Sequence, residues 1–299
     1  MAISPNLIDL SAVPVPDAVQ IPDAQHIFDN WLNKLRSLDT IYDALVESDP
    51  VFKQGEANTY QTVLILQRIN DAVRGVLLAS ATGADLDQIG AGFNVLRKVI
   101  TPADLNTIPP TAAVMQDDEE YRAQIQLSWS QLSTAGARNA YRFYAKSADP
   151  EILDVEAYGP KVHGRPGEVD IYVLSRAGNG VASPQLLEKV LQKLNEDETR
   201  PLTDFVSVKS ANIEEFEVEA KLDIPDGPDA KTILESAKKA LEGYVAKLHH
   251  IGGVVPLSGI YRALHQPGVS RVHLTQPTSD NETQLGTAPY CRAIYLSSS

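Results

Sequence analysis

Carboxylates, imidazoles, aromatic rings and a single thiol are the groups in this 299-residue chain that could do chemistry, and spacing decides what each can do. The densest carboxylate run is Asp117, Asp118, Glu119 and Glu120. Carboxylates in such number could wrap a divalent cation, but consecutive helical residues point to different faces. The run also stands where a helix begins, and there the unpaired amides and the helix dipole favour negative charge, so it reads as a cap. His249 and His250 are adjacent near a helix end and cannot converge on one metal while the helix continues; interaction with the C-terminal dipole accounts for them. His163, in the glycine-bounded loop 159–167, could join His265 and His273 in a hydrolytic set, but nothing in their spacing selects them over chance proximity. Gly90-Ala91-Gly92 follows a helical turn rather than a strand, which argues against a phosphate cradle, and the HExxH, GxSxG, GxxxxGK[ST] and GxGxxG patterns are missing. Trp31, Trp129, Tyr141, Phe143 and Tyr144 could stack bases or sugars, yet their helical spacing fits core and interface packing better. Cys291 stands alone, so neither an intrachain disulfide nor a thiolate cluster is available, and it reads as a small packing residue. The expectation is a chain with no catalytic residue, no cofactor and no metal.

Composition narrows the partners. With 39 acidic against 26 basic residues the net charge is −13, a diffuse negative field that disfavours nucleic acid and anionic membranes. No stretch approaches the ~18 apolar residues of a membrane span, and no Lys or Arg precedes Lys34, so the start lacks the charged region of a secretory signal. Expression in the cytoplasm is expected. The length suits two or three cores of ordinary size.

Elements to position these side chains follow from hydrophobic period. Residues 1–22 carry Pro5, Pro14, Pro16 and Pro22 and read as an extended arm, either a frayed terminus or a segment that orders against a neighbouring subunit. Helical spacing then runs from Asp23 to Asp49-Pro50 and again from Asn58 to about Thr82, ending at Gly83. Two helices of that length show an apolar stripe that they cannot cover alone. A third helix or a partner must supply the rest, and Trp31, Leu35, Leu38, Ile69 and Val73 are placed on that seam. After a short helix from Asp85 and a Pro-rich link at 101–111, an acidic-capped helix and an aromatic helix lead into strands from Glu151. The expected order is helix, strand, strand, helix, strand, then strand, helix, helix, strand, strand, with the last strand at Arg292 to Leu296. The fold class is α+β: a long-helix region followed by two small α/β sandwiches with mostly antiparallel sheets. Each sheet is expected to leave its second face and its edges open to other chains. The domains are read as arm 1–22, helical assembly domain 23–110, first sandwich 111–210 and second sandwich 211–299.

The stretch Asp118 to Pro160 resembles the core signature of the baseplate J family of contractile-tailed phages and R-type bacteriocins. Its marks are Glu120-Tyr121-Arg122, Trp129, the turn Ser133-Thr134-Ala135-Gly136 and the aromatic helix around Tyr141; the strand Glu168 to Leu174 and the run through Pro201 and Asp204 fit too. Residues 83–98 are similar to the segment those proteins place ahead of the signature. The resemblance implies a structural subunit of the baseplate wedge. It implies association with an I-type subunit and further copies of itself, in a ring around the central spike and hub, and contact with the wedge protein that reaches tube and sheath. It also implies assembly in the bacterial cytoplasm, then a place in the released phage or bacteriocin particle, with no enzymatic role. A tail-associated hydrolase and a monomeric ligand-binding module are the competing readings.

Overall fold

The computed structural model describes residues 7–132, 137–196, 203–225, 230–282 and 284–298. The turn at Ser133, Thr134 and Gly136, the signature residue Pro201 and most of the turn after Pro225 lie outside the described residues. The chain divides into two compact units, one of residues 8–97 with 117–122 and one containing residues 98–116 and 123–299.

In the first unit α1 (Ala24–Arg36) packs on α2 (Pro50–Gly75), and α3 (Gly83–Gly92) follows. Both long helices have ends that hydrophobic period alone misplaces. Helix α1 stops at Arg36 instead of running to Asp49, because short polar side chains offer the backbone turns in place of helical bonds. The Ser37 hydroxyl donates to the Lys34 carbonyl at 2.6 Å, and Asp39 Oδ1 accepts from the Ile41 amide at 3.0 Å, opening a 3-10 turn over Thr40–Tyr42. Asp49-Pro50, read in the sequence as a stop, is the start of α2. Proline at the first helical position gives up only an amide that has no intrahelical partner. At the far end α2 stops at Gly75, where the Ser80 hydroxyl caps the Arg74 carbonyl at 2.7 Å, so the residues up to Thr82 form turns. The 26 residues of α2 span about 39 Å. Phe28 and Leu32 are buried between α1 and α2, with the Phe28 and Phe52 rings 4.7 Å apart. Trp31 lies flat enough on α2 that a Cβ at Gly55 would stand 2.3 Å from its ring, so this crossing requires a glycine.

The chain continues through the antiparallel pair β1 (Val99–Thr101) and β2 (Val114–Met115) into α4 (Asp118–Ser128), whose residues 118–122 cluster with the helical unit.

The second unit holds two sandwiches. In the first, α5 (Arg138–Ser147), β3 (Ile152–Tyr158), the short α6 (Pro160–His163), β4 (Glu168–Ser175), α7 (Pro184–Leu194) and β5 (Phe205–Ser210) follow in order. The sheet order is β3-β4-β5, antiparallel then parallel. The parallel pair needs a crossover, and α7 supplies it; Ser183 Oγ accepts the Leu186 amide at 3.2 Å as its cap. Tyr141, Ile152, Val155, Ile171, Val190 and Leu194 fill the core between sheet and helices.

The second sandwich contains β6 (Asn212–Asp223), α8 (Ala230–Leu248), β7 (Val254–Val255), α9 (Leu257–Leu264), β8 (Arg271–Gln276), β9 (Asn281–Glu282) and β10 (Thr287–Ser298). Its main sheet runs β10-β6-β8, with β6 parallel to β10 and antiparallel to β8. Along β6 the side chains of Val218, Ala220 and Leu222 are buried while Glu219 and Lys221 are exposed, the alternation of a half-wet strand. Strand β10 starts at Thr287, ahead of the expected Arg292. Pro289 argues against a strand in sequence, but β10 lies at a sheet edge, where a missing amide is tolerated.

The molecule is thus α+β, a helical region followed by two sandwiches whose main elements come in the expected order, with the short α6, β7 and β9 in addition and one parallel ladder in each three-stranded sheet. One expectation needs correcting. The second face of the first sheet is not simply left open, because Leu174, Ala211, Ile251 and Ala288 form a cluster between the sandwiches, with Leu153 and Tyr172 against it. Polar contacts close the same junction: the Ile251 amide donates to Asp154 Oδ2 at 3.0 Å and the Gly286 amide to Tyr158 Oη at 3.2 Å.

Candidate functional site

The imidazoles are dispersed into separate structural duties. His163 donates from Nε2 to the Tyr158 carbonyl at 3.1 Å and accepts at Nδ1 from the Arg165 amide at 3.2 Å, which fixes its loop. His249 Nδ1 meets the Pro289 carbonyl at 2.7 Å, and its ring stands edge-on to Tyr290. The sequence assigned it to a helix dipole, but its partner comes from another strand. His273 pairs with Asp223 at 3.1 Å. Among the described residues no group of three or more His, Cys, Asp or Glu could hold a metal ion. Cys291 packs against the second core, and burial pushes its thiol up to about 11. An open depression of about 420 Å³ is lined by Glu215, Phe216, Glu217, Gln276, Pro277 and Arg292, with Arg292 paired to Glu217. That lining offers no hydroxyl or thiol, and its two carboxylates are engaged, Glu215 by Asn179 and Glu217 by Arg292.

The signature residues turn out to be structural pins. Asp117 Oδ1 accepts the Glu120 amide at 3.0 Å, so the acidic run does cap α4. Tyr121 is fully buried, donates to the Val95 carbonyl at 2.8 Å and lies under the Arg97 guanidinium, 4.6 Å from its ring centre. Gly90 makes room for it, since a Cβ there would come within 1.9 Å of Tyr121 Oη. Arg122 donates from Nε to the Leu78 carbonyl and from Nη2 to the Ala81 carbonyl, both at 2.7 Å, and from Nη1 to Glu119 at 2.6 Å. One guanidinium therefore holds the turns that follow α2. Arg97 bridges Asp87 at 2.6 Å and Asp118 at 2.7 Å. Burial by itself raises the Asp118 carboxyl, but the Gly83 amide and Arg97 outweigh it and hold the group below the usual carboxylate range. In the first sandwich Tyr141 donates to Asp204 at 2.6 Å, joining signature residues far apart in sequence. Trp129, in contrast, is 61% exposed.

The seam residues divide. Trp31 sits on Gly55 inside its own unit; Leu35 and Val73 are half-buried; Ile69 is 40% and Leu38 69% exposed, the latter beyond the end of α1. Also exposed in this unit are Val76 and three residues that sequence reasoning missed, Ile41, Tyr60 and Ile65. Ile65 and Ile69 stand i, i+4 on one side of α2, a spacing that signals a second apolar face. Asn70, buried within the same helix, accepts from the Val19 amide at Oδ1 and donates to the Val19 carbonyl from Nδ2, both at 2.9 Å. One turn on, Arg74 Nη2 meets Asp17 Oδ1 at 3.0 Å. The proline-rich arm is strapped to α2 at two points. Chemically these surfaces are suited to holding other polypeptide, by apolar faces and main-chain recognition.

Comparison with known proteins bears on the same residues. The chain matches the Baseplate J-like N-terminal domain over residues 47–104, the Baseplate J-like central domain over 133–210 and the Baseplate J-like protein C-terminal domain over 216–294. It is 41% identical over 292 residues to Baseplate protein J of Escherichia phage P2, covering 95% of each chain. Among solved structures it is similar to a chain of the anti-feeding prophage (AFP) baseplate, determined by cryo-EM with 6-fold symmetrisation, at 19% identity and a TM-score of 0.42. That match covers 62% of this chain and 44% of the other, so the chain spans less than half the length of that protein.

Proposed function

This chain belongs to the baseplate J-like family, and from that premise we propose that it is built into the baseplate wedge of a contractile tail, beside an I-type subunit and further copies of itself. It is a structural subunit of a phage-type baseplate and works in contact with other baseplate components. In the finer reading the wedge forms part of a ring around the central spike and hub and passes contacts to tube and sheath. The subunit is made in the bacterial cytoplasm and carries no catalytic role.

The observation that carries this reading is the bare apolar surface of the helical unit. Leu38, Ile41, Ile65, Ile69 and Val76 are each at least 40% exposed, a number of large apolar side chains on one unit that fits a surface covered by another protein. Such residues gain free energy only when a neighbour covers them, at roughly 25 cal/mol per Å² of apolar area. Leu38→Asp with Ile69→Asp tests it. Because both side chains already face solvent, the doubly substituted chain should keep its circular dichroism spectrum and melting temperature. It should lose co-purification with the adjacent baseplate subunits, and unaltered complex formation would refute the assignment.

A further inference from the structure

We propose that Asn70 and Arg74 form a docking site for an extended peptide, and that in the assembled baseplate this site holds the N-terminal arm of a second copy of the chain. The proposal rests on the reading above, that several copies work side by side.

A buried amide side chain is costly unless both its ends are bonded. Asn70 is 4% exposed, and both ends are bonded to the main chain of a single residue, Val19. What Asn70 recognises is therefore an extended backbone rather than a side chain. Arg74 stands one helical turn away and takes Asp17. Residues 17 and 19 face one side of an extended segment just as 70 and 74 face one side of a helix, so the two contacts form a matched pair. Pro14, Pro16 and Pro22 keep the arm extended and ready for such a site.

A second copy is the occupant that the tether and the exposed side chains of the arm point to. Every copy carries both the arm and its receptor, so docking within a chain and docking between chains use identical bonds, and the tether and local concentration decide which prevails. The tether that follows Val19, residues 20–24, is exposed throughout and spans about 17 Å when extended. Docking within the chain leaves Ile8 68%, Val13 41%, Val15 39% and Ile21 38% exposed. Exchange in a crowded ring keeps the two polar contacts and brings those side chains against a neighbouring subunit.

Cross-linking in particles tests this. In a Cys291→Ala background, one tagged copy carries Asp17→Cys and a differently tagged copy carries Arg74→Cys. Loss of this exposed ion pair costs little, about 0–1 kcal/mol, and both bonds between Asn70 and the Val19 main chain remain to hold the arm, so both variants fold and assemble. A short bismaleimide should then join the two tags covalently in purified particles, and Asn70→Ala added to the Arg74→Cys copy should abolish the product. A chain carrying both cysteines serves as reference. If that chain cross-links only within itself and the mixed particles give no joined tags, exchange is overturned. If neither sample cross-links, the site does not hold an arm in the particle and the proposal fails equally. Absence of the unsubstituted chain from particles would instead bring down the baseplate reading, and this proposal with it.

Discussion

Asp170 shows what a carboxylate does here when it does no catalysis. It is 4% exposed on the central strand of the first sandwich and receives Ser207 Oγ at 2.6 Å, Arg165 Nη2 at 2.6 Å and Lys209 Nζ at 2.9 Å. Burial alone raises its carboxyl, but the bonds from Ser207, Lys209 and Arg165 outweigh that and hold it far below the usual range. In the unfolded chain the same group titrates near about 3.9, so as the pH falls the unfolded state takes up the proton first. The stabilisation is therefore complete above about pH 4 and drains away below it, toward the depressed folded value. Asp118 follows the same direction. Asp170→Asn should cost about 1–3 kcal/mol at pH 7, since it takes the carboxylate from Lys209 and leaves Arg165 with Glu168 alone. In urea titrations the gap to the unsubstituted chain should narrow below pH 4. A gap that stays constant with pH would mean that Asp170 contributes by shape and not by charge.

Elements depend on a few close approaches and on caps. Helix α3 meets Tyr121 at Gly90, where a Cβ would stand 1.9 Å from the phenol oxygen and 2.9 Å from the Val95 carbonyl. Tyr121 is itself locked by its bond to Val95 and by Arg97, so it cannot retreat. Gly90→Ala should lower stability by roughly 1–3 kcal/mol through overpacking, read as a lower midpoint in thermal unfolding. An unchanged midpoint would show that α3 shifts freely. Hydrophobic period located the buried face of β6, and Ser183-Pro184 announced the start of α7; on α2 it marked Val63, Leu66 and Val73, which are half-buried, while the buried positions are Gly55, Thr59 and Asn70. The ends of α1 and α2 were not legible from period, because Ser37, Asp39 and Ser80 set them through bonds to main-chain groups. At Pro50 the same residue type can end one helix or begin another, and only the tertiary partner of the following segment distinguishes the two.

For the whole second unit, the junction between the sandwiches is decisive. Strands β5 and β6 are separated only by Ala211, which joins Leu174, Ile251 and Ala288 in a cluster shared by both halves. Gly286, at φ +71° and with a Cβ position 2.4 Å from the Tyr172 ring, is confined to glycine by conformation and by space. Two cores linked in this way should unfold together. Ala288→Asp puts a charge into the shared cluster, where an unpaired polar group costs at least about 2 kcal/mol. Calorimetry should then resolve two transitions where the unsubstituted unit shows one; a single transition lowered as a whole would mean that the cores are not separable.

The sequence by itself determined the α+β class, the order of the main elements in both sandwiches, the acid cap of α4 and membership of the family, because these are written in local period and in short signatures; the short α6, β7 and β9 carry no such signal. Tertiary structure decided the rest. Tyr121 meets Val95, Tyr141 meets Asp204 and Asn70 meets Val19 only once the chain has closed on itself, and no spacing rule encodes those pairs. The same holds for exposure: Trp31 and Ile69 both read as seam residues, yet one is covered by Gly55 and the other faces water. Which apolar side chains are left for a neighbour depends on what the rest of the fold has already buried.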